Sequence, residues 1–191
     1  MLIGVGIGLF NQNFKKNNNM LVYDSFNRAD NTTTLGKADS GQTWETWSGT
    51  WGIASNQAYI SSGTSNSKVA IESGSSDCII TLKNSLQSAG NRILFRGVET
   101  NNHYQFQTES SQFRIYKNEG GVSTMLGSNS TFIPSSGDTL KVVLSGSSIK
   151  CFVNDNLVFD ISNTFNQTST KHGMMLNNSV GRLDDFKVEA L

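Results

Sequence analysis

Apolar and polar positions alternate most plainly between Asp138 and Ile161. Leu140, Val142 and Leu144 are separated by Lys141 and Val143, and after Ser145-Gly146-Ser147-Ser148 the pattern resumes with Ile149, Cys151 and Val153. A period of two on both sides of a tight polar connection predicts an antiparallel hairpin. Asn154-Asp155-Asn156 then supplies residue types that tolerate a left-handed backbone, and Leu157, Phe159 and Ile161 follow in alternation with Val158 and Asp160. The stretch reads as a three-stranded meander with those alternating residues toward a core. Its apolar side needs a second layer to cover it.

The same alternation predicts strands over 21–23, 57–61, 68–71, 78–82, 92–98, 103–108, 112–117, 122–126, 171–176 and 183–188. Turn signals such as Ser62-Gly63, Ala89-Gly90, Glu119-Gly120-Gly121 and Ser136-Gly137-Asp138 fall between them. No segment carries a sustained helical period with caps. The expectation is an all-β chain in which the last strand closes the sheet beside the first. At 191 residues it is long enough for one sizeable core, and residues 21–191 read as one domain.

Lys plus Arg and Asp plus Glu number 15 each. A balanced surface disfavours charge-driven binding to nucleic acid or to a membrane. Cys78 and Cys151 each sit in an apolar run and read as free buried thiols, with one disulfide as the alternative. Residues 1–20 differ from the rest and read as an N-terminal anchoring arm or leader. Met1 to Phe10 is apolar and Gly-rich but about half the length that a bilayer span needs. An arm of this kind requires a cover, which favours assembly with partners or as a homo-oligomer.

Alternation also sorts the faces of the central strands. Ile93, Phe95 and Gly97 should point one way, with Tyr104, Phe106, Phe113 and Ile115 as core partners. Arg96, His103, Gln105, Gln107, Arg114 and Tyr116 then share the opposite face. Long amides, guanidinium groups and a ring on one surface suit a glycan, which offers hydroxyl groups to planar donors and CH faces to rings. An ordinary solvated sheet face is the alternative. His103 and His172 have no Cys or His neighbour at ligand spacing, which disfavours transition-metal chemistry.

The order of DSFNRAD, LGKADSGQTW, SGTWGIASNQAYI, ILFRGVETNNHYQFQ, FRIYKNEGGVSTMLG and GRLDDFKVEAL resembles the concanavalin A-like, laminin G-like β-sandwich of bacterial glycan-active proteins and phage virion proteins. The resemblance spans residues 21–191. It implies a two-sheet antiparallel jelly-roll sandwich with an accessory carbohydrate-binding or adhesive role. It implies too that Trp44 and Trp51 are structural, leaving Trp47 as a candidate sugar-stacking ring, and that a structural calcium could sit between Asp24, Asp184 and Asp185 where the terminal strands meet. The resembling glucanases carry alternating acidic residues along one strand, whereas this chain has no E-x-D-x-x-E run, so the expectation is noncatalytic. The reading is a virion surface protein, joined to other virion proteins through residues 1–20 and displaying its sandwich toward host cell-wall polysaccharide. A purely structural decoration protein and a glycan hydrolase are the alternatives.

Overall fold

The computed structural model describes residues 19–63 and 65–191. Most of the proposed arm, residues 1–18, lies outside the described residues. The first half of the chain forms β1 (Met20–Asp24), β2 (Glu45–Ser48), β3 (Thr50–Ala54), β4 (Gln57–Ser62), β5 (Ser67–Glu72), β6 (Cys78–Leu86) and β7 (Arg92–Glu99). β8 (Asn102–Thr108), β9 (Phe113–Glu119), β10 (Val122–Asn129) and β11 (Asp138–Ser145) follow. β12 (Ser148–Val153), β13 (Asn156–Ser162), β14 (Lys171–Leu176) and β15 (Arg182–Ala190) complete the described chain. No helix among these residues is long and apolar enough to cross a membrane.

The strands form two antiparallel sheets. An eight-stranded sheet runs β13-β12-β11-β6-β15-β4-β3, with β1 also paired to β15, and a seven-stranded sheet runs β10-β9-β8-β7-β14-β5-β2. The fold is therefore the all-β, two-sheet jelly-roll sandwich expected from the sequence. First and last strands are neighbours, with the Ala190 amide donating to the Asn19 carbonyl at 2.7 Å. Between the sheets lie Val142, Ile80, Val188, Trp51, Phe95, Phe106, Phe113 and their neighbours in one continuous core. Removing apolar area on this scale from water is the main stabilising term.

The meander forms as predicted, with Asn154 and Asp155 at φ 48° and 65° in the turn. One residue departs. The β12–β13 register shifts between Cys151 and Phe152, so Val158 and Phe159 are both buried while Leu157 is 49 % exposed rather than in the core. β2 and β3 were not predicted. β2 is a sheet edge with no fully buried position, and β3 buries Trp51, Gly52 and Ile53 in succession, so neither alternates.

Both cysteines are free and buried. Burial pushes the Cys78 thiol up to about 12, and its sulfur lies 3.4 Å from Nε2 of His172, whose imidazole burial pushes down to about 4. The pair is therefore a neutral thiol beside a neutral ring, without the thiolate that reactivity needs.

Candidate functional site

Strand pairing assembles the outer face of the seven-stranded sheet row by row. Arg114, Gln107, Arg92, Met175 and Lys68 are successive cross-strand partners on β9, β8, β7, β14 and β5. The next row holds Tyr116, Gln105 and Leu94, and His103 pairs with Asn118 in the row beyond. His103, Gln105, Gln107, Arg114 and Tyr116 thus share one face, as alternation predicts.

Arg96 does not join them. It adopts φ 46° at a register break in β7, which inverts the alternation after Phe95. Its side chain is fully buried, donating to the carbonyls of Ser76 and Gly146 and pairing with Asp77 at 3.1 Å. Side chains supply the bonds that hold its main chain in this conformation. The Arg96 amide donates to Nδ1 of His172 at 3.2 Å, and Asn166 Nδ2 donates to the Arg96 carbonyl at 3.1 Å. Gly97 consequently faces outward rather than into the core. A Cβ there would lie 2.6 Å from the ring of Trp47, which rests half-buried on Gly97 and Leu94. Trp44 and Trp51 are core residues, as expected.

The outer face carries a depression of about 260 Å³, lined among others by Lys68, His103, Gln105, Asn118, Asn101 and Asn66. His103 lies fully buried beneath it, and neither ring nitrogen makes a hydrogen bond of good geometry. Burial, then the Lys68 charge, hold its pKa down at about 4, with a smaller push from Arg92, against a compensating interaction with the Glu99 main chain. The ring is neutral at physiological pH, with one donor and one acceptor to offer. Asn118 donates to Ser123 at 2.9 Å but leaves its buried Oδ1 unpartnered. Buried polar atoms without partners are costly in a finished core. Two such residues, His103 and Asn118, line this one depression.

A polar chain flanks the depression. Arg92 Nε donates to Gln107 Oε1 at 2.7 Å, and Gln107 Nε2 donates in turn to Glu109. Glu109 lies 3.6 Å from Arg114, whose Nη1 donates to the Tyr116 hydroxyl at 3.2 Å. Glu109 is thereby tied into this network. Arg92, Lys68, Asn118 and Met175 were not among the predicted site residues. A larger depression of about 370 Å³ lies beside Leu35 and Ile53, but its Arg28 is consumed by Asp24 and the Leu35 carbonyl.

The three proposed calcium ligands do not form a metal site. Asp24 is fully buried, and both of its oxygens are used by Arg28, with further bonds from the Phe26 amide and from Trp44 Nε1. With two donors on each oxygen, all four acceptor positions of this carboxylate are taken. Asp184 accepts from the Asp185 amide at 2.9 Å, and the Tyr23 hydroxyl donates to Asp185 at 3.4 Å. No cluster of three or more potential metal ligands occurs among the described residues.

No protein-family profile matches the chain, and no curated protein matches it in sequence. The fold does match solved structures. Carbohydrate binding module CBM66 from Bacillus subtilis superposes with a TM-score of 0.58 at 18% identity, over 77% of this chain and 93% of the module. A LamA variant from Z. galactanivorans, in complex with laminaritriose and laminaritetraose, gives 0.55 at 13% identity over 90% and 99% of the two chains. The Bacillus licheniformis beta-glucanase gives 0.56 at 13% identity over 88% and 97%. This chain has the fold of bacterial glycan-binding and glycan-active sandwiches. The likeness corrects the noncatalytic expectation. A beta-glucanase is built on the same sandwich, so the architecture does not set this chain apart from glycan-cleaving enzymes.

Proposed function

We propose that this chain is a glycan-directed β-sandwich of bacterial, extracellular type that holds a saccharide against the outer face of its seven-stranded sheet. The observation that carries the reading is the polar depression on this face, lined by Lys68 and by the amides of four residues over the buried ring of His103. Around it the amides of Gln105, Asn118, Asn101 and Asn66 present paired donors and acceptors of the kind that sugar hydroxyls satisfy. Trp47 and Tyr116 supply rings on the same sheet face for the CH surfaces of a pyranose or furanose. CBM66 and LamA, one named for carbohydrate binding and the other solved with oligosaccharides, support the class of ligand. The virion setting and attachment through residues 1–20 rest on the sequence resemblance and on the apolar character of Met1 to Phe10.

Cleavage of the bound glycan is a second reading, favoured by the beta-glucanase that shares the fold. One experiment addresses both. The full chain is incubated with insoluble and soluble polysaccharides, and both retention and reducing-end release are measured. Gln105→Ala is expected to weaken retention by about five- to tenfold, the worth of one or two hydrogen bonds. Unchanged retention by a folded Gln105→Ala protein would remove this face from the site. Reducing ends that accumulate with wild-type protein would establish cleavage.

A further inference from the structure

The charge on this face is lopsided in a way that a neutral sugar does not exploit. Among the side chains lining the depression only Lys68 and His103 titrate, and neither is acidic. Lys68 is half-buried and has no carboxylate partner among the described residues. Arg92, its row neighbour across Met175, is only 6 % exposed, spends Nε on a neutral amide, and leaves Nη1 without any partner. Arg114 adds a third cation, with Nε also unpartnered, and Glu109 beside it is the one carboxylate in this network. Three cations stand against one anion.

A buried guanidinium is normally neutralised, because desolvating an unpaired charge costs several kcal/mol. Here burial pushes Arg92 down to about 10, and the Glu109 charge only partly offsets it. Lys68 is likewise lowered, by burial first and by Arg92 second. Two like charges on one row, one strand apart, beside a depression lined by no acid form a surface that an anion would complete.

We propose that the glycan held on this face is acidic, bearing carboxylate or sulfate groups that seat beside Lys68 and Arg92. The proposal rests on the glycan reading above and narrows it to one substrate class. Lys68 provides the accessible charge-assisted hydrogen bond, Arg92 adds field from beneath, and His103, Gln105 and Asn118 take hydroxyl groups of the same or the next residue.

The test is affinity electrophoresis of the full chain through gels containing alginate, polygalacturonate, carrageenan or laminarin, which present uronate carboxylates, sulfate esters or no charge. Acidic polymers should retard the protein, and retardation should fade between about 0.1 M and about 1 M salt as the charges are screened. Lys68→Gln should bind about tenfold more weakly, as expected for one charge-assisted hydrogen bond, while Lys68→Arg should retain binding. Arg114→Gln, on a more exposed side chain, provides a second variant and should weaken binding in the same direction. Retardation by uronans alone or by carrageenan alone supports the proposal and identifies the anionic group. Retardation by laminarin alone would overturn the acidic assignment and leave the glycan reading standing. Failure of every polymer to bind would overturn both. Acidic binding undiminished in folded Lys68→Gln and Arg114→Gln proteins would also overturn the proposal, since the charge would then be read elsewhere.

Discussion

His103 and His172 make the stability of this sandwich depend on pH well above the range where carboxylates usually act. Both rings are fully buried, and burial lowers each from an ordinary 6.5 to about 4. For His172 the partners explain the preference: Nε2 donates to the Ser75 carbonyl at 2.9 Å while Nδ1 accepts the Arg96 amide, so a second ring proton would break the latter bond. Below pH 6.5 the unfolded chain takes up protons that the folded chain refuses until pH is near 4, so stability falls with acidification across that window. From those values each histidine removes about 2 kcal/mol between about pH 7 and about pH 5, or about 4 kcal/mol together. For a domain of this size that lowers Tm by about 8–16 °C. Glu45, held below its ordinary range chiefly by the Lys171 hydrogen bond, contributes only at lower pH, and Asp184, raised by burial, works in the opposite direction. Urea unfolding of wild type, His103→Asn and His172→Asn across this range isolates the two terms, since each variant should lose about half of the slope whatever its stability at neutral pH. A wild-type stability that is flat between the two buffers, or slopes unchanged in both variants, would refute the reasoning.

Three further predictions test other parts of the structure. Asp24→Ala strands the Arg28 guanidinium and the Trp44 indole, and should cost about 3 kcal/mol, toward the low end for a buried pair because Arg28 remains 28% exposed. A calcium chelator should leave the wild-type melting temperature unchanged, and a chelator-induced drop would restore a metal to the terminal strands. Gly97→Ala places a methyl group where the Trp47 ring now sits, so it should shift tryptophan emission and cost about 1 kcal/mol by overpacking. If Trp47 stacks on the glycan, the same variant loses affinity, and titration of the polysaccharide against emission measures it.

The fold was legible because its strands bury one face, and burial of one face writes a period of two. Where that condition lapses, the pattern lapses with it. β2 lies on an edge and β3 is enclosed on both sides, so neither alternates. The site was legible only along the β8–β9 hairpin, where His103, Gln105, Gln107, Arg114 and Tyr116 are close in sequence and their register follows from a short turn. Lys68 and Met175 reach the same depression from β5 and β14, and nothing local says that β14 pairs with β7 and β5 with β14. Arg96 shows the converse failure. Its position in a well-formed strand predicts an outward side chain, but a ring and an amide from residues 172 and 166 bind its main chain and turn it inward. Asp24 was a credible oxygen ligand by composition, and only the folded position of Arg28 and Trp44 shows its oxygens to be occupied.

The pairing of β1 with β15 has a directional consequence. Asn19 and Ala190 meet beside β15, inside the eight-stranded sheet, whereas the depression opens on the outer face of the seven-stranded sheet. The closure of the β1–β15 pair and the proposed saccharide face therefore belong to opposite layers of the sandwich, so a change at one pairing leaves the strands of the other sheet in place.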